Sequence, residues 1–62
     1  MTLFQFKALP IGSKVRAYVS GAREVGIKDS VNSIEWSDGR EIMFYPHRKY
    51  EVDTLRYIFI GE

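Results

Sequence analysis

Apolar and polar residues alternate along much of this chain, and the alternation has the period of a β-strand. Between Lys14 and Ser20, Val15, Ala17 and Val19 alternate with Lys14, Arg16 and Tyr18. That is the pattern of a strand with one face in a core and one in water. Leu3 to Leu9 reads the same way, with Phe4, Phe6 and Ala8 on one side and Gln5 and Lys7 on the other. Pro10 ends that segment, because proline cannot donate to a ladder. Ile11-Gly12-Ser13 is a connector, and Gly21-Ala22-Arg23 is a turn. Val25 and Ile27 flank Gly26 as the start of a bent strand. From Val31 to Ile34 the apolar positions change phase from odd to even, which predicts a bulge or break between Lys28 and Ser33.

The stretch from Val31 to Tyr45 organises the rest. Two runs rich in β-branched and aromatic residues flank Ser37-Asp38-Gly39, a strong hairpin signal. A two-residue loop at Asp38-Gly39 would pair Ile34 with Met43 and set Ile42 and Phe44 on the face opposite Ile34 and Trp36. A three-residue loop, Ser37-Asp38-Gly39, pairs Ile34 with Ile42 and Trp36 with Arg40. Ile34, Trp36, Ile42 and Phe44 then share one face. A slip of one residue would turn that set into water, so the second register is expected. Gly39 supplies the positive φ that such a loop needs. Trp36 is therefore a core residue.

Pro46 stops the second arm. His47-Arg48-Lys49-Tyr50 follows as a polar loop or single 3₁₀ turn, with Tyr50 and Val52 placed to rejoin the core. Leu55 to Ile60 is apolar on both sides, with Leu55, Tyr57 and Phe59 on one face and Ile58 and Ile60 on the other. A strand of that kind is buried twice or meets another chain, so a weak homodimer through Leu55 to Ile60 is expected. No stretch shows a helical period over three turns.

The resulting class is all-β: one domain, residues 1–62, folded as a small five-stranded barrel around the hairpin at 31–45. Closure would also remove the exposed edges of so small a sheet. The order of strand, connector, strand, longer loop, hairpin, 3₁₀ connector and last strand resembles the SH3-like barrel. Gly12-Ser13-Lys14-Val15-Arg16 and Glu24-Val25-Gly26 are similar to the strand–loop–glycine opening of KOW-type barrels and of the small stromal subunit family of photosystem I. The resemblance spans roughly residues 12 to 36. The segment before Gly12 and the apolar run from Leu55 to Ile60 depart from those families, and no binding residue is carried over from them.

Composition narrows the function classes. A chain of 62 residues buries only about 60% of its unfolded surface. It has no cysteine to staple it or to ligate a metal. Nine basic residues against eight acidic ones leave a net charge of +1, unlike a protein held to nucleic acid by charge alone. The first residues lack the charged and apolar regions of a signal peptide, and no run approaches the ~20 apolar residues of a membrane span. Cytoplasmic location without membrane contact is the expectation.

The candidate chemistry is sparse. His47 is the single histidine, and Arg48 and Lys49 beside it disfavour a second positive charge. The serines sit in turns or at strand ends, and the carboxylates are scattered without metal-ligand spacing. Gly21 and Gly26 lack the setting of a phosphate loop. No catalytic residue, cofactor or metal site is expected, and the chain reads as a non-enzymatic module. The stronger candidate is a surface. Lys14, Arg16 and Tyr18 project from one strand, Met43 and Tyr45 from the solvent side of the hairpin, and Arg48 and Lys49 lie just beyond. Such types suit a protein partner. An RNA or single-stranded DNA partner, stacked on the tyrosines, is the alternative. Against both stands the plainer reading of a solvated strand face. Glu35 and Glu41, opposite one another in this register, also offset the basic side.

Overall fold

The structure is a computed structural model that describes residues 1–19 and 21–61, without the side chain of Val19. It contains helix α1 (Leu3–Ala8), strands β1 (Lys14–Val19), β2 (Ala22–Ser30), β3 (Ser33–Trp36) and β4 (Glu41–Met43), helix α2 (Lys49–Thr54), a 3₁₀ turn (Leu55–Tyr57) and strand β5 (Ile58–Ile60). The strands form one antiparallel sheet in the order β4-β3-β2-β1-β5, open at its two edges, β4 and β5. Among the described residues no helix is long and apolar enough to cross a membrane.

The hairpin has the expected register. Ile34 pairs with Ile42, and the Trp36 amide donates to the Arg40 carbonyl at 2.8 Å. The Gly39 amide closes the loop on the Trp36 carbonyl at 2.9 Å, with φ of +91° at Gly39. Ile34, Trp36 and Phe44 are buried and Ile42 packs against them. The hairpin lies at one edge of the sheet rather than at its centre. The phase change before it is a register shift between Lys28 and Ser30, followed by a turn at Val31 and Asn32. In β1, Val15 and Ala17 face the core as expected; the expectations for Ser20 and for the Val19 side chain lie outside the described residues.

Three expectations are corrected. Leu3 to Leu9 is no strand: Leu3–Ala8 is a helix, started by a capping box in which Thr2 Oγ1 accepts from the Gln5 amide and Gln5 Oε1 accepts from the Thr2 amide. Leu3, Phe6 and Leu9 turn to the sheet at helical spacing, while Phe4 is 84% exposed. The segment after Pro46 is helical too. Arg48 sits beside Glu51 at 3.5 Å across the first turn of α2. Val52 packs on the core, whereas Tyr50 faces solvent. Leu55 to Ile60 changes element halfway, and Leu55 and Ile58, three residues apart across the 3₁₀ turn, are its buried pair. Tyr57 and Phe59, grouped with Leu55 on one face by the strand reading, are exposed while Leu55 is buried. Strand β2, where Val25 and Ile27 flank Gly26 in sequence, turns Gly26 and Lys28 inward and leaves Val25 and Ile27 on the outer side.

The core lies between the inner side of the sheet and α1 with the 3₁₀ turn. Phe6 meets Phe44 edge-on, with ring centroids 5.2 Å apart. Lys28, only 1% exposed, lies beneath α1. Its Nζ sits 4.8 Å from the Phe6 ring centre and donates to the carbonyls of Phe6 (2.7 Å), Lys7 (3.2 Å) and Leu9. The Lys7 and Leu9 carbonyls lie where a helix end runs out of intrahelical donors, while the Phe6 carbonyl also accepts from the Leu9 amide at 3.1 Å.

Candidate functional site

The residues expected to form one basic and aromatic surface form two groups instead. Lys14, Arg16 and Tyr18 do share the outer side of β1. There the Arg16 guanidinium lies 5.3 Å from the Phe59 ring centre, and its Nη1 donates to the Ile60 carbonyl at 2.6 Å. Tyr18 leans on the same ring at 6.4 Å. Met43 is on the outer side of β4, where its sulfur accepts from the Tyr45 hydroxyl at 3.7 Å. Tyr45 stacks on His47 at 5.7 Å. Two strands separate β1 from β4. The row between them runs Lys14, Ile27, Glu35, Glu41, so acidic residues fill the gap. Arg48 is paired with Glu51, and Lys49 opens α2.

That acidic edge has its own electrostatics. Glu41 is held above its ordinary carboxyl value, first by a hydrogen bond with Asp29 and the Asp29 charge, then by the Glu35 charge. Ser33 donates to Asp29 at 2.5 Å. No three potential ligands among the described residues are arranged to hold a metal ion.

A different site emerges on the inner side of the sheet. The half of that side next to Phe44 is covered by α1. The half at the hairpin's loop end is open, and a cleft of about 650 Å³ lies there between the sheet and the segment Lys49–Tyr57. Ala17, Trp36, Ile42 and Ile58 form its floor. Tyr50 and Tyr57 wall it, both largely exposed, and Tyr18 borders it from β1 while its ring stays on the outer side against Phe59. At one end Arg40 bridges Glu24 (2.6 Å) and Asp38 (2.5 Å). The bonds to Asp38 and Glu24 push the Arg40 pKa up, and the Arg40 amide on Asp38 pulls that carboxyl down. Asp53 and Arg56 complete the rim. The charges of the lining therefore balance, and what the cleft offers a ligand is aromatic surface within a polar border.

Sequence reasoning reached Trp36, but only as core, and Tyr18, but as part of another surface. It missed the opposite wall. The signal was present: Tyr50, Asp53, Thr54 and Tyr57 stand at i, i+3, i+4 and i+7, the spacing of one helix face. Reading a loop and then a strand there hid it.

Compared with protein families, with curated proteins and with solved structures, the chain matches none.

Proposed function

We propose that the chain is a non-enzymatic interaction module that binds an extended segment of a partner protein in the cleft beneath Tyr50 and Tyr57. One observation carries the reading: a tryptophan and an isoleucine on the inner side of the sheet lie under an open cleft walled by Tyr50 and Tyr57, with Arg40 paired to Glu24 at its rim. Tyrosine and tryptophan supply large contact area at low entropic cost and dominate binding hot spots. An apolar floor with a few polar groups at its margin is the usual make-up of a ligand site. The strand order, with a 3₁₀ turn ahead of a last strand paired back to β1, supports describing the scaffold as an SH3-like barrel left open between β4 and β5. The basic residues favour nucleic acid less, because Arg16, Arg40 and Arg48 are each engaged within the chain.

Selection of peptides from a random library on the immobilised chain tests the proposal. Selected peptides are expected to shift the Trp36 indole and Tyr57 resonances. Tyr57→Ala should weaken them about tenfold or more, as expected for a hot-spot aromatic, without moving the melting midpoint. Peptides that bind equally well to Tyr57→Ala, or that perturb only the outer side of the sheet, would overturn it. So would oligonucleotides that bind more tightly than any selected peptide at moderate salt.

A further inference from the structure

The two edges of the sheet differ in a way that assigns one of them a partner. Among β1 and β5, the Gly61 amide donates to the Lys14 carbonyl at 2.7 Å. In an antiparallel ladder the bonded pairs alternate, so Arg16 and Phe59 are the next bonded pair. The backbone groups of Ile58 and Ile60 therefore point away from β1, toward the open edge. Two of those four groups are used. The Ile58 amide donates back to Leu55, and the Ile60 carbonyl accepts from Arg16. The Ile58 carbonyl and the Ile60 amide remain, one acceptor and one donor two residues apart.

We propose that β5 pairs with β5 of a second copy of this chain, in antiparallel register with Phe59 opposite Phe59. A two-fold axis through that pair sets each Ile60 amide against the other copy's Ile58 carbonyl. Both remaining groups are then matched, and neither the Arg16 clasp nor the 3₁₀ turn has to open. Phe59 lies at a non-bonded position of this new ladder, where facing side chains come closest. Phe59 is 44% exposed and Ile60 61% exposed, so both have area to bury. Charge decides which edge associates. Strand β5, Ile58–Ile60, carries no charged side chain. Glu41 on β4 already sits against Asp29 and Glu35, so two β4 edges would repel. The interface is isologous, as a closed dimer requires, and it is independent of the cleft reading.

Sedimentation velocity over roughly a hundredfold concentration range should show reversible association of the wild type, because a dimer of this kind is set by mass action. Exchange of the Ile60 amide should slow over the same range. Phe59→Lys, at a half-exposed position, should fold with an unchanged circular dichroism spectrum and stay monomeric. Ile60→Pro removes the outward amide together with the exposed isoleucine side chain, spares the bonds to β1, and should also remain monomeric; it serves if Phe59→Lys fails to fold. Met43→Lys on β4 should associate like the wild type. A wild type that stays monomeric throughout, or a Met43→Lys variant that loses association, would overturn the proposal.

Discussion

Lys28 shows how one side chain can fix an element far away in sequence. Its ammonium is the donor for three carbonyls at the end of α1, more than eighteen residues earlier in the chain. Burial pushes its pKa below the ordinary lysine value, which is the cost of using a charge as a helix cap. Lys28→Met keeps the length and removes the donor. The Lys7 and Leu9 carbonyls lose that donor, which should cost about 1–3 kcal/mol, the range for a buried group left unbonded. The variant should melt earlier in urea, and amide exchange should rise in α1 before it rises in β1. An unchanged midpoint would mean that α1 is held by its apolar side chains without the lysine. Glu41 makes the opposite case on the surface. Its folded pKa is raised above the ordinary 4.5 by Asp29 and Glu35. A raised carboxyl pKa favours folding while the group is protonated, and that contribution is lost as pH rises through the raised value. Glu41→Gln should therefore match the wild type below about pH 4 and be the more stable of the two at neutral pH. Urea midpoints taken from acid to neutral check this. A gap that closes on raising the pH would reverse the assignment.

At the scale of elements, the hairpin depends on two glycines for different reasons. Gly39 takes a φ of +91° that a side chain resists. Gly26 sits opposite Trp36, and a Cβ there would come within 2.8 Å of both Trp36 Cε3 and Ile34 Cγ2. Gly26→Ala should overpack the site, cost about 1–3 kcal/mol, and shift Trp36 fluorescence as the indole leaves its seat on the cleft floor. Trp36→Ala should cost about 3–5 kcal/mol, as for any large buried aromatic. Fluorescence and melts on the two variants check both claims. The register of this hairpin could be read from sequence because four apolar side chains agree on one face only with a three-residue loop. Strand β1 was legible for the same reason. Helix α1 was not, because over six residues Phe4-x-Phe6-x-Ala8 fits a strand as well as Leu3-x-x-Phe6-x-x-Leu9 fits a helix. The Thr2–Gln5 capping box was the deciding mark. Lys28 in a strand reads as a solvent residue because the carbonyls that hold it belong to a helix distant in sequence. The cleft followed from that same error at α2. Once Lys49 to Tyr57 is taken as loop and strand, Tyr50 and Tyr57 share no face.

At the scale of the whole molecule, α1 is one wall of a core that has few walls. Domains carry roughly 0.05–0.15 kcal/mol of stability per residue, which for 62 residues comes to about 3–9 kcal/mol. Phe6 is fully buried, packs edge-on to Phe44, and lies over Lys28. Phe6→Ala should cost about 3–5 kcal/mol, a large share of everything available. The same helix exposes Phe4, two residues away. Phe4→Ser should therefore leave the melting midpoint nearly unchanged and improve solubility, since exposed aromatics contribute little to folding and favour association. The pair of variants separates a helix from a strand with no structural measurement at all. In a strand Phe4 and Phe6 lie on one face, and both substitutions would damage the core alike. In a helix they lie far apart around the axis, and only one does. Cooperative thermal melts on the two variants are expected to show loss of the transition near room temperature for Phe6→Ala and its retention for Phe4→Ser. Equal losses would put α1 back on the sheet as a strand and leave Lys28 without its carbonyls.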